Sequence, residues 1–180
     1  LCAADLLAQA EHDELARPVL ITTSRAHAEA VALEVEIQLA DLDRAEIARA
    51  AIAGGGAVIA ADLDEAVELA NEFAPEHLCL LTENPEALVE RVTAAGGIFV
   101  GEYSPEVLGD YVAGPSHVMP TGGSARFASP LSVFDFLTLT STIDMTPEQF
   151  REIGPYAATL ARAEGLTGHA HSIEHRLEGR

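Results

Sequence analysis

The 180-residue sequence predicts an α/β fold, a largely parallel sheet with flanking helices, followed by a helical C-terminal tail. Three observations carry this. Short apolar runs alternate with helical stretches of 10–15 residues, the pattern of βα units. Glycine clusters at Gly54-Gly55-Gly56 and Gly96-Gly97 each separate a helical stretch from the apolar run after it. After Gly101 the alternation stops: residues 102–130 carry Pro105, Gly109, Gly114, Pro115, Pro120, Gly122, Gly123 and Pro130, and 131–180 read as mainly helical.

In chain order, Leu6, Leu7, Ala10 and Leu15 lie close to helical spacing, predicting a helix over 3–16 that ends before Pro18. VLITTS (19–24) predicts a buried strand and 25–40 an amphipathic helix. Asp43 is placed to cap a helix over 44–53, which closes on the three glycines. These glycines precede a strand, whereas a dinucleotide-binding loop follows one, so they read as a helix stop and not as a phosphate cradle. AVIAAD (57–62) predicts a strand, 63–74 a helix, LCLLT (78–82) a strand, NPEALVERVTAA (84–95) a helix with Asn84 as cap and Pro85 in the first turn, and GIFVG (97–101) a strand. In the tail, breaks are expected near Thr146-Pro147 and Gly154-Pro155, with a helix over 155–177 carrying Glu164 and His169 near its middle. The tail has too little apolar surface to fold alone, so it must pack on the α/β part or on a partner chain.

Composition narrows the function. A net charge of −19 with all ten basic residues Arg and no Lys argues against a duplex nucleic-acid binder or a partner of anionic membranes. The apolar runs are too short to span a bilayer, and Asp5, Glu11, Asp13 and Glu14 stand where a signal peptide would be basic, so a cytoplasmic protein is expected. Cys2 and Cys79 lack metal-type spacing and are expected to be reduced, buried thiols, although a pairing between them is open from sequence. The chain opens on Leu1 in what reads as mid-helix, with no capping residue before it, which predicts that it is cut from a longer polypeptide.

Between Asn71 and Arg126 acid–base side chains gather among Gly and Pro: Glu76, His77, Asp110, Tyr111 and His117. Each alone could cap a turn, but the set points to a ligand site carried on loops. Glu76-His77 joins a carboxylate to the side chain best suited to proton transfer near neutrality. Asp110 offers a hard oxygen on a glycine-flanked turn, and His117 follows in a Gly-Pro loop. Gln9 and His12, three apart on the first helix, share a face; His is a common metal ligand there and Gln an unusual one, so solvated surface residues are the alternative. Glu11 points elsewhere and reads as solvated. In the tail Glu164 and His169 are five apart, while His171 and His175, four apart, are the better metal pair by spacing; periodicity leaves the choice open.

DLLAQAEHD, NEFAPEHL, GGIFVGEYSPEVLGDYVAGPSHVMPTGGSARFASPLSVFDF and AEGLTGH, taken together and in this order, closely resemble the C-terminal half of the histidinol dehydrogenases. The resemblance runs over nearly the whole chain. It implies a zinc-dependent, NAD-linked enzyme of histidine biosynthesis that oxidises L-histidinol through L-histidinaldehyde to L-histidine, reducing two NAD. It implies a partial Rossmann-like domain over 1–131, whose remaining strands lie upstream, and a helical dimerisation and active-site tail over 132–180.

By the same resemblance Gln9, His12, Asp110 and His169 are zinc ligands, which selects His169 over His171 and His175. Glu76 and His77 are the acid–base pair, and Gln9, His12, His77, Asp110, His117, Glu164 and His169 bind substrate. The tail is expected to cross into the partner's site in a homodimer. The NAD contacts are expected in the absent N-terminal half, so turnover is not expected of this fragment by itself. A non-catalytic zinc- or imidazole-binding module on the same fold is the competing function; the intact Glu76-His77 pair argues against it, since binding alone needs no proton-transfer pair. A purely structural α/β domain is the third.

Overall fold

The computed structural model describes residues 1–179, in two compact units, Leu1–Phe136 and Leu137–Arg180. The first unit opens with α1 (Cys2–Ala10), β1 (Val19–Thr22), α2 (Arg25–Leu39), α3 (Ala45–Gly54) and β2 (Gly56–Ile59). It continues with α4 (Leu63–Phe73), β3 (His77–Leu80), α5 (Glu86–Val89), β4 (Gly97–Val100) and α6 (Glu106–Tyr111), then single 3-10 turns at Ser124–Arg126 and Val133–Phe136. The strands pair in parallel, as the βα alternation predicts. They form two separate two-stranded ladders and not one sheet: Val19 opposite Gly56 through Thr22 opposite Ile59, and His77 opposite Gly97 through Leu80 opposite Val100.

Local chemistry sets the boundaries. Ser24 caps α2 by accepting the His27 amide at 3.2 Å, and Asp62 caps α4 by accepting the Glu65 amide at 2.9 Å. Gly55 ends α3 where a Cβ would stand 2.0 Å from the Pro18 carbonyl oxygen, so only glycine lets β2 come in beside β1. Ala74, at φ 53°, makes the left-handed turn that leads into the Pro75-Glu76-His77 corner.

Several expected elements differ. α1 stops at Ala10, because the following Glu11-His12-Asp13 run folds into turns in which the Asp13 carboxylate accepts the Leu15 amide at 2.8 Å. Neither Asp43 nor Asn84 caps a helix by its side chain: Arg44 and Pro85 occupy the cap positions, and α5 is one turn long. The segment read as loop after Gly101 contains α6, so Asp110 stands on a helix and not on a free turn.

The second unit is a helix pair, α7 (Pro147–Ala163) and α8 (Thr167–Leu177). Thr146 and Gln149 form a reciprocal capping box at the start of α7. The expected break at Gly154-Pro155 does not occur: α7 runs through Pro155, and the chain turns instead at Gly165, φ 77°. Glu164 and His169 therefore flank a break and do not share one helix. Residues 137–146 form neither helix nor strand. Arg162 on α7 donates two hydrogen bonds to Glu174 on α8, at 2.8 and 2.6 Å, clamping the pair.

The core of the first unit packs α1 against α2 and α3 through Ala3, Leu7, Ala10, Val31, Val35, Leu39, Ala48 and Ala51, with Leu39 wholly buried. Alanine at the crossings of α1 with α2 and α3 lets the backbones approach closely, which fixes the face of α1 that carries Gln9. A smaller cluster of Val67, Leu80 and Leu88 anchors β3. Cys2 and Cys79 are both free thiols, half-buried and not fully so. No helix among the described residues is long and apolar enough to cross a membrane.

Candidate functional site

Three elements of the first unit each bring two polar side chains to one place. α1 supplies Asp5 and Gln9, four apart on one helix face; β3 supplies His77 and Cys79, two apart on one strand face; α6 supplies Glu106 and Asp110, again four apart. All but Asp110 line one cavity of about 450 Å³ that also reaches the edges of β1 and β3.

His77 is the centre of the arrangement. Its side chain is 8% exposed, and its Nδ1 lies 2.7 Å from the Gln9 Oε1. An amide oxygen can only accept, so this contact places the ring proton on Nδ1 and leaves the Nε2 lone pair facing the site. Nε2 stands 3.9 Å from Asp110 Oδ1 and has no hydrogen-bond partner. Phe99 meets the ring edge-on at 5.6 Å and holds its plane. Burial pushes the imidazole's pKa below its usual value; the charges of Glu76 and Asp110 oppose that shift, and His12 adds to it.

His12 lies just beyond the end of α1, with its Nε2 3.8 Å from Asp110 Oδ2. Although α1 stops early, the His12 amide still bonds the Gln9 carbonyl at 3.4 Å, which keeps the three-residue spacing close to helical. Gln9, His12, His77 and Asp110 are thus brought together. Glu76 is half-buried at the corner before β3. His117 is exposed on the coil after α6, with no contact to this group. Glu164 and His169 belong to the second unit, both exposed, and His171 and His175 stack edge-to-face there at 6.1 Å. Tyr111 is exposed.

Three residues given no site role from the sequence, Asp5, Cys79 and Glu106, line the cavity. Glu106 is 3% exposed, and its Oε1 has no partner. Its pKa is raised to about 7, first by burial and then by the charges of Asp5, Asp110 and Glu76. Burial likewise raises Asp5 and takes the Cys79 thiol up to about 12, where it stays protonated. The signal that could have found Glu106 is its four-residue spacing from Asp110 in PEVLGDY, which becomes visible only once a helix is placed there.

Among the described residues no three His, Cys, Asp or Glu side chains already converge with metal-binding geometry. The donor set nonetheless suits zinc. Two ligands on a tetrahedral zinc with bonds of about 2.1 Å stand about 3.4 Å apart. The His12 nitrogen and Asp110 oxygen, at 3.8 Å, need only a small side-chain movement to reach that separation. The Gln9 amide oxygen meets His77, 2.7 Å from its Nδ1.

Fold and site together define an α/β protein with a buried imidazole beside an N/O donor cluster. The family profile described as Histidinol dehydrogenase matches residues 1–177. The chain belongs to the histidinol dehydrogenase family. It is 56% identical over 179 residues to the histidinol dehydrogenase of Deinococcus radiodurans and 53% identical over 176 residues to that of Thermus thermophilus, 98% of this chain being covered in each case. The crystal structure of histidinol dehydrogenase from Elizabethkingia anophelis matches with a TM-score of 0.87 and 36% identity over 98% of this chain. The chain spans 41% of the length of the Deinococcus relative, 43% of the Thermus relative and 41% of the Elizabethkingia chain.

Proposed function

We propose that this chain carries the metal-binding and acid–base part of a histidinol dehydrogenase, an NAD-dependent oxidoreductase converting L-histidinol through L-histidinaldehyde to L-histidine. The observation that carries the reading is the geometry of His77: buried, held by Gln9 through Nδ1, with a free Nε2 beside Asp110 and His12. Gln9, His12 and Asp110, with His169 of the tail, would hold zinc. When bound, zinc supplies a Lewis acid that orients the substrate nitrogens, and NAD, held by the rest of the family's polypeptide, accepts hydride.

The chain's own residues do the proton work. His77 Nε2 takes the alcohol proton as hydride leaves the carbinol carbon. In the second oxidation Glu76 removes a proton from the water that adds to the aldehyde, and the hydrate formed becomes the carboxylate when a second hydride leaves it for NAD. His117 and Glu164 bind substrate, and burial around His77 keeps competing water from its lone pair. Two supports favour placing the tail in a partner's site: the helix pair buries only Gly154, Ala158 and Ala170, and it leaves Tyr156 and Leu160 exposed. The two ladders have too few strands to be stable in isolation, which fits a sheet completed by other strands of the same fold.

Addition of L-histidinol and NAD to the complete protein tests the reading. NADH should form, and His77→Ala should reduce its formation by roughly 100- to 10,000-fold while zinc content stays near normal. Undiminished turnover in that variant would remove His77 from the role of base. Zinc content retained with no NADH formed by the unsubstituted protein would favour the binding-module alternative.

A further inference from the structure

Three buried side-chain polar atoms of the first unit have no hydrogen-bond partner, and their residues line the same cavity: Thr82 Oγ1 just after β3 and an ionisable pair, His77 Nε2 on β3 and Glu106 Oε1 on α6. Buried nitrogen and oxygen atoms are rarely left unpaired, and a carboxyl exposed to only 3% with no cation beside it is costly unless something else satisfies it. Their chemistries are complementary in one respect. With the ring proton on Nδ1, Nε2 can only accept, so whatever fills the space must bring it a hydrogen. The same filler must offer Glu106 a lone pair or a hydrogen. A hydroxyl group does both, donating to the imidazole while its oxygen accepts from a carboxylic acid.

We propose that Glu106 is a substrate-positioning residue that, together with His77, grips the hydroxyl group of the ligand at the carbon to be oxidised. The proposal deepens the histidinol dehydrogenase reading and rests on it. Glu106 sits one helical turn before Asp110, so α6 sets the donor cluster and this carboxyl in fixed relation to each other. Burial and the neighbouring acids Asp5, Asp110 and Glu76 keep Glu106 partly protonated at neutral pH, as a donor to the hydroxyl oxygen requires. Cys79, the other titratable group beside it, remains a neutral thiol and does not compete for the hydroxyl's proton.

Calorimetric titration of the complete, zinc-loaded protein with two ligands tests this. L-Histidinol carries the hydroxymethyl group; histamine keeps the imidazole and amine and lacks it. Glu106→Leu should weaken L-histidinol binding roughly 10- to 100-fold, the effect of one lost buried hydrogen bond, and leave histamine unchanged. Glu106→Asp, which retracts the oxygen by one methylene, should give the same selective loss and carries the test if the leucine variant does not fold. Equal weakening of both ligands, or of neither, overturns the assignment. A wild-type protein that binds neither ligand overturns the underlying functional reading, and this proposal with it.

Discussion

The Nδ1 of His77 lies 2.7 Å from the Oε1 of Gln9, a side-chain bond that ties β3 to α1 across 68 positions of sequence. One amide oxygen thereby fixes the tautomer of the imidazole. Gln9→Glu would put a carboxylate on that nitrogen and stabilise the imidazolium, raising a pKa that burial now lowers. The acid limb of the kcat/KM profile should move to higher pH. Gln9→Leu, leaving Nδ1 without an acceptor, should cost roughly 10- to 100-fold in activity. An unmoved acid limb in the glutamate variant would mean that the contact does not govern the base.

Glu106 makes the fold sensitive to pH in a definite direction. Its ordinary value of 4.5 is raised to about 7, so the folded chain holds this proton more tightly than the unfolded one. The stability it contributes is complete below about pH 4.5 and is lost as pH rises through about 7. His77, with its pKa lowered, acts in the opposite sense, losing stability as pH falls below its usual 6.5. Thermal unfolding of Glu106→Gln should therefore match wild type in acid and exceed it by about 3 °C at about pH 8. A variant less stable than wild type at alkaline pH would contradict the burial of an ionisable carboxyl here.

Gly55 is the tightest point between α3 and the first ladder, because a Cβ there would meet the Pro18 carbonyl oxygen at 2.0 Å. Gly56, next in sequence, donates its amide to that same oxygen at 3.1 Å. Gly55→Ala should cost roughly 1–3 kcal/mol by forcing β1 and β2 to shift. Denaturant unfolding would show this as a lower midpoint with unchanged slope. Gly56→Ala, which meets nothing within 4 Å, is the control and should cost less.

His169, the proposed tail ligand, and the His171–His175 pair stand on the same helix, α8. Zinc occupancy should fall in His169→Ala and hold in His171→Ala and His175→Ala. The reverse pattern would assign the tail ligand to the stacked pair.

The alternation of strands and helices was legible because apolar periodicity and glycine punctuation report local structure directly. The Gln9, His12, His77 and Asp110 group was legible only through a motif set spread over the chain; spacing alone made His171 and His175 the better metal pair. What escaped had physical causes. α6 is a single short helix built on a Gly- and Pro-rich stretch, so Glu106 and Asp110 read as loop residues and their shared face was hidden. Pro155 signals a break, yet α7 absorbs it: the Thr159 hydroxyl donates to the Pro155 carbonyl within the continuing helix. Strand pairing into two ladders depends on contacts remote in sequence, which no local pattern encodes.

Zinc analysis of the complete protein beside its His12→Ala and Asp110→Ala variants bears most directly on the donor cluster. One zinc per chain in the wild type, falling close to none in both variants while the fold is retained, is the expected result. Full zinc in either variant would show that the ion is held elsewhere.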